Sequence, residues 1–259
     1  MANDASFSLT GKKGLVIGMA NQQSIAYGCA KAMHALGAEL AITFLNARAE
    51  PFVRPLAEQL GSPIIIPCDV EKAGELEAVF ALIQQTWGHL DFALHAVASA
   101  PKEDLHGRVT DCSAAGFARA MDVSCHSFIR MAKLCEPLMP QGGTLLTISY
   151  YGGQKVIANY NLMGPVKAAL EAVVRSLATE LGPQGIRVHA LSPGPILTRA
   201  ASGIDHFDDL LMHTTQTSPL HHVITIDEVG SVACGLVSDW AKGMTGNIVF
   251  VDGGSHVLG

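Results

Sequence analysis

The chain has 259 residues, 49% of them apolar and 15% charged, with a formal net charge of −6. Such a length can bury one large core, and such a composition excludes a disordered chain. The acid excess argues against a nucleic-acid role, which needs a basic face to neutralise phosphates, and no run approaches the ~18 apolar residues of a membrane span.

Short apolar runs alternate with amphipathic stretches along the chain. The run GLVIG at 14–18 predicts a first strand, followed by a helix near 24–36. Further strands are expected at 39–44, 63–67, 91–97, 144–149, 186–191 and 247–251, with helices near 51–60, 71–86, 113–135, 160–181 and 227–238. The strands read as nearly continuous apolar runs, the pattern of parallel strands covered on both faces. Strand and helix in alternation imply right-handed crossovers and an α/β, doubly wound, mostly parallel seven-stranded sheet of the Rossmann type. One domain, 1–259, is expected. Only 192–226, rich in Pro, Ser, Thr and His, reads as a long irregular stretch, which suggests a substrate-binding loop or lid.

Six cysteines, at 29, 68, 112, 125, 135 and 234, show no C-x-x-C spacing, so neither a zinc knuckle nor a redox pair is indicated. The pair His221-His222 has no Cys or His partner at ligand spacing and reads as polar surface, so no metal is expected. The start, MANDASFSLTGKK, lacks a basic segment followed by a long apolar one, and the cytoplasm is the expected compartment.

Ligands on such sheets bind at the carboxyl ends of the strands. Gly18 ends the first apolar run and Ser24 stands six residues on, without the three glycines of the usual dinucleotide turn. Gly18 can let a ligand approach the backbone, and Ser24 can cap a helix whose free amides attract phosphate. The same features fit any serine-capped helix after a strand. Asp69 could accept from an adenine amino group or cap the helix at 71–86. No Asp or Glu stands at the end of the second strand to grip a ribose, and Arg48 could meet a 2′-phosphate or be merely solvated.

Tyr160 and Lys167 are seven residues apart, a spacing that on a helix returns to nearly the same face. Lys167 could then lean back toward the Tyr160 hydroxyl, lower the phenol's pKa and make it a proton donor or oxyanion stabiliser. The alternative is a packed tyrosine and a surface lysine. Pro165, between the two, implies either a kinked helix or one that begins regularly only near Gly164.

Taken together, Gly18-x5-Ser24-Ile25, Asp69-Val70, Tyr150 and Tyr160 flanking GGQKVIAN, Y-x6-K ending in Lys167, SPGPILTRAASGI at 192–204 and VDGG at 251–254 resemble the NADH-dependent enoyl-acyl-carrier-protein reductases. That family is a divergent branch of the short-chain dehydrogenases, and the resemblance spans about residues 7–256. Ordinary short-chain dehydrogenases carry Y-x3-K, where this chain has Gly164, and Asn-Asn-Ala-Gly, where it has HAVASAP. The resemblance implies a homotetramer that binds NADH, with NADPH the alternative. It implies cofactor contacts from Gly18, Ser24, Ile25, Leu45, Asp69, Val70, Val97, Ala98, Lys167, Ile196, Leu197, Thr198, Arg199 and Ala200. It places substrate against Ala100, puts Tyr160 at the thioester carbonyl with Tyr150 closing the pocket, and gives Lys167 the nicotinamide ribose. Ile204, Phe207, Leu210, Leu211 and Met212 could cover an acyl chain or belong to a short packed helix.

Three departures stand out. Ala98 replaces a glycine familiar in the family, which should weaken phenolic diaryl-ether inhibitors. Asp205, Asp208 and Asp209 stand where a basic face would meet an acidic carrier protein. Leu45 stands where a glutamine is familiar. Three functions therefore remain in play: reduction of a 2-enoyl thioester on acyl carrier protein; a paralogue acting on another enoyl thioester or a carbonyl, with Ser149 or Thr147 assisting; and a cofactor-binding scaffold with little turnover.

Overall fold

The computed structural model describes residues 7–105, 107–198 and 207–258, with the side chains of 207 and 208 outside that description. Seven parallel strands, β1 (Lys13–Ile17), β2 (Glu39–Phe44), β3 (Ile64–Pro67), β4 (Phe92–His95), β5 (Gly143–Ile148), β6 (Ile186–Pro193) and β7 (Ile248–Val251), form one sheet in the order 3-2-1-4-5-6-7. Each expected strand is present in the expected place, and the sheet is a Rossmann-type α/β sheet. The order reverses between β1 and β4, where Leu15 lies opposite Ala93 and Val16 opposite Leu94.

Side chains alternate across the pleat, so successive residues of one strand serve two different cores. Leu15 and Ile17 face a layer made by α3 (Glu75–Thr86), α6 (Ser127–Cys135) and α7 (Met163–Leu181). Val16 faces the layer of α1 (Ile25–Ala35), α2 (Glu50–Gln59) and α9 (Ile226–Val237). Both faces are therefore covered, which is why the strands carry no polar alternation.

The helices differ from expectation at five places. The helix expected at 113–135 is α5 (Ala114–Met121) and α6 joined by a π-helical turn over Asp122–His126. The helix expected from 71 starts at Glu75, after Gly74 in the left-handed region at φ 86°. The stretch 192–226, expected to be irregular, contains α8 (Phe207–Thr217) and keeps Ser192 and Pro193 in β6. The helix expected from 160 begins at Met163, so Tyr160 lies before it. A short helix, α4 (Lys102–Leu105), was not anticipated. No helix among the described residues is long and apolar enough to cross a membrane.

Candidate active site

The crevice at the reversal of strand order opens between the ends of β1 and β4. Gly18 has φ 101°, and a Cβ there would collide with the Ala96 carbonyl, so only glycine fits. Ser24 caps α1: its hydroxyl accepts from the Tyr27 amide at 3.4 Å and donates to the Asn21 carbonyl at 2.7 Å. The first amides of a helix have no partner inside it and carry the positive end of its dipole, so the start of α1 beside Gly18 fits an anionic group.

Most of the remaining cofactor candidates follow the carboxyl ends of β2, β3, β4 and β6, on the same edge of the parallel sheet. Leu45 is exposed just past β2, and Arg48 is exposed three residues on. Asp69 does not cap α3. Its carboxylate accepts from the Glu71 amide at 3.1 Å, while its own amide donates to Glu75 at 2.7 Å. Val70 is buried, and its carbonyl accepts from Arg130 at 2.9 Å. Val97 is half-buried and Ala98 exposed just beyond β4. The next residue is fixed: Ser99 exchanges two hydrogen bonds, at 2.9 and 3.1 Å, with the hydroxyl of Ser124 in the π-helical turn. Beyond β6, Ile196 is buried, Leu197 exposed and Thr198 half-buried. Arg199, Ala200, Ile204 and Asp205 lie outside the described residues, as do the side chains of Phe207 and Asp208.

The tyrosines come together after β5. The rings of Tyr150 and Tyr160 meet edge to face with centroids 4.7 Å apart. A Cβ on Gly152 would strike the Tyr160 ring, so glycine leaves the space that the ring occupies. Asn159 and Asn161, on either side of Tyr160, both sit in the left-handed region at φ 63° and 41°. Asparagine tolerates that conformation better than most residues. Asn161 also donates from Nδ2 to the Leu105 carbonyl of α4 at 2.7 Å. Ala100 and Leu105 pack beside Tyr160 against Leu162, Met163 and Val166, which makes an apolar wall. In α8, Leu210 and Leu211 are half-buried and Met212 exposed.

The expected helical pairing of Tyr160 with Lys167 is not present. Only Lys167 is on α7, and its ammonium donates to the Ile148 carbonyl at 2.7 Å. The phenol's pKa is raised, not lowered: burial is the main cause, with Tyr150 and Glu171 adding to it. Burial likewise pushes Tyr150 up to about 12. Both phenols therefore keep their protons at neutral pH and act as neutral donors. Lys167 is lowered to about 8 by burial, opposed by Cys125 and Glu171. Pro165 causes no kink, because it lies in the first turn of α7, where no intrahelical bond is lost.

Ser149 and Thr147 are both buried and face inward. Ser149 donates to Glu171 at 2.7 Å. Thr147 bonds to Nδ1 of His95 at 3.1 Å, and Nε2 of that ring meets Ser127 at 2.7 Å. Neither hydroxyl is available to polarise a substrate carbonyl. Burial lowers His95 to about 3, so its ring is neutral. Glu171, Gln154, Asn159, Asn161 and His95 were not singled out from the sequence. The asparagines on both sides of Tyr160 were the one local signal, since asparagine favours left-handed backbone.

The His221-His222 pair lies apart from this chemistry: Nε2 of His222 meets Glu228 at 2.9 Å, and His221 has φ 52°.

Comparison with known proteins agrees with this geometry. Residues 18–256 match the family model described as enoyl-(acyl carrier protein) reductase. The chain is 45% identical over 255 residues to enoyl-[acyl-carrier-protein] reductase [NADH] 1 of Rhizobium meliloti (strain 1021), covering 98% of this chain and 94% of that one. The enoyl-acyl-carrier-protein reductase of Anaplasma phagocytophilum, solved in complex with NAD, superposes with a TM-score of 0.93 at 48% identity, over 97% of this chain and 96% of that one. The Bacillus cereus reductase, solved with NADP+ and an indole naphthyridinone, gives 0.95 at 43% identity, over 97% and 98%.

Proposed function

The chain belongs to the enoyl-(acyl carrier protein) reductase family, and from that premise we propose how its own residues divide the work. It is an oxidoreductase that saturates the 2,3 double bond of a trans-2-enoyl thioester on acyl carrier protein, using NADH, in fatty acid biosynthesis. The chemistry a bound NADH supplies is a hydride for the β-carbon of that thioester. The thioester oxygen would take up the negative charge that the hydride brings, the α-carbon would then take a proton from solvent, and the residues around that oxygen would stabilise its charge.

The crevice fits the dinucleotide, because Gly18 leaves the space that a Cβ would fill and α1 presents its positive end beside it. Ser24 and Ile25 would hold the pyrophosphate. Leu45, Asp69 and Val70 would line the adenosine, and Val97, Ala98 and Ile196 to Ala200 the nicotinamide side. Lys167, buried and already bound to the Ile148 carbonyl, would turn its remaining N–H groups to the ribose hydroxyls. Tyr160 would donate to the thioester oxygen, with Tyr150 closing the pocket and Ala100 against the substrate. Leu210, with Ile204 and Phe207, would cover the acyl chain.

The observation that carries this reading is the edge-to-face pair of tyrosines that follows β5, with the Ser149 hydroxyl engaged by Glu171 and the Thr147 hydroxyl by His95. That arrangement supplies a donor to an enolate oxygen and leaves neither Ser149 nor Thr147 for ketone reduction. We also propose a homotetramer and a cytoplasmic location. Between Arg199 and Lys242 the chain has no Lys or Arg, so α8 itself brings neither to an acidic carrier. The test follows NADH and NADPH absorbance in turn, with crotonyl thioesters of acyl carrier protein and of coenzyme A and with simple ketones. Oxidation of NADH by the carrier-protein ester is expected. Turnover of ketones alone, or tight NADH binding with no turnover, would refute the reading.

A further inference from the structure

Glu171 is a buried carboxylate, one turn beyond Lys167 on α7, that the hydride chemistry does not use. Both of its oxygens are taken. Oε1 accepts from the Ser149 hydroxyl at 2.7 Å and Oε2 from Nε2 of Gln154 at 2.9 Å. Ser149 directly follows β5, and its amide donates to the Leu191 carbonyl of β6 at 2.7 Å. Gln154 closes the short turn that begins after Tyr150, where the Gly153 amide donates to the Tyr150 carbonyl at 2.9 Å. The carboxylate thus grips both ends of the segment that carries Tyr150. The fit is close: a Cβ on Gly153 would lie 3.2 Å from Oε1 of Glu171 and 3.1 Å from the backbone of α7.

We propose that Glu171 is a positioning residue of this reductase: it clasps the Tyr150 turn to α7 through Ser149 and Gln154, and it supplies the counter-charge to the Lys167 ammonium.

A buried charge persists only when it is compensated. Among the described residues, the titratable groups that act on Lys167 are Glu171 on its own helix, Cys125 in the π-helical turn and His95 on β4. Burial raises the Cys125 thiol and lowers His95, so both are neutral near pH 7. The carboxylate is what remains to balance the ammonium. It acts without a direct ion pair, since the ammonium's hydrogen bond goes to the Ile148 carbonyl. This inference rests on the reductase reading.

The test compares the wild type with Glu171→Gln and Gln154→Ala, using NADH and crotonyl-coenzyme A between pH 6 and 9, with melting temperatures as the fold control. Glutamine at 171 can still accept from Ser149, and a flipped Gln154 amide can meet its NH2, so the clasp survives while the charge is lost. In Glu171→Gln the alkaline limb of kcat/KM should shift about one pH unit lower, a tenfold loss above that limb, with kcat at pH 6 changed less than threefold. Gln154→Ala should instead lower kcat several-fold at every pH and leave the limb in place. An unmoved limb in folded Glu171→Gln would sink the counter-charge role, and unchanged kcat in Gln154→Ala would sink the clasp. If Glu171→Gln does not fold, Glu171→Asp takes its place. It keeps the charge on a shorter arm, so it should hold the limb and lose kcat, and a moved limb overturns the assignment. Failure of the wild type itself to oxidise NADH would count against the reductase reading instead.

Discussion

Replacing Tyr160 by Phe removes one hydroxyl and little else. The ring would stay in place, because its edge-to-face contact with Tyr150 at 4.7 Å, the space over Gly152 and the left-handed backbone at Asn159 and Asn161 do not involve the oxygen. What is lost is a neutral donor whose raised pKa keeps its proton throughout the working range. One preorganised donor to a developing oxyanion is worth ~3 kcal/mol of barrier, or about a hundredfold in rate. We expect kcat with a crotonyl thioester to fall by about that factor, with NADH affinity within twofold of wild type. The melting temperature should be nearly unchanged. Because the phenol does not ionise near neutrality, the acidic and alkaline limbs of the wild-type profile should not move in Tyr160→Phe. The assay is NADH absorbance under saturating conditions, with fluorescence titration of NADH in parallel. A folded Tyr160→Phe enzyme with full turnover would refute the role given to this oxygen.

Lys167, lowered to about 8, should lose its charge as pH rises through that value. NADH binding to the free enzyme should then weaken by at most tenfold per pH unit above it, while Lys167→Arg, always charged, should show a flat titration; equal slopes in the two proteins would contradict the ribose contact. Gly18→Ala should weaken NADH binding by at least tenfold, since a left-handed φ and the Ala96 carbonyl both oppose a Cβ at a cost of about 1–3 kcal/mol; calorimetric binding within twofold of wild type would rule this out. His95 is lowered to about 3 and His189 to about 4, both mainly by burial. Their folded pKa values lie below the unfolded value near 6.5, so the unfolded chain takes up protons first as the pH falls. Their contribution is therefore complete above about pH 6.5 and declines on acidification by about 1.4 kcal/mol per pH unit for each ring. Urea unfolding from pH 7 to 5 should show the decline, and His95→Gln should remove its share; an unaltered slope would argue against a neutral His95. Ala98→Gly should increase sensitivity to phenolic diaryl-ether inhibitors, and equal potency on the two proteins would disprove the steric argument.

The order of elements was legible because apolar periodicity is a local property. The runs at 14–18 and 144–149 can be buried only as strands covered on both faces, and the observed alternation of Leu15 and Val16 between two helical layers follows from that. Gly18 and Ser24 were also readable, since a turn and a cap are written into adjacent residues. The long stretch at 192–226 was misread in its middle. Seven of the eleven residues of α8 have polar side chains, and they hid the helical period.

The sequence by itself determined the sheet, the crevice at the end of β1 and the set of residue types that mark the family, because each depends on neighbours a few positions apart. Only the tertiary structure decided the chemistry of the pair at 160 and 167. Seven-residue spacing implied a shared helical face, but packing around Ala100 and Leu162 holds Tyr160 in a turn ahead of the helix, and Lys167 reaches across to β5. Burial then sets the protonation of both groups, and Glu171 meets Ser149 only because α7 lies against the end of that strand. Desolvation and contacts between distant segments arise from three-dimensional packing, and a reading of local spacing has no access to them.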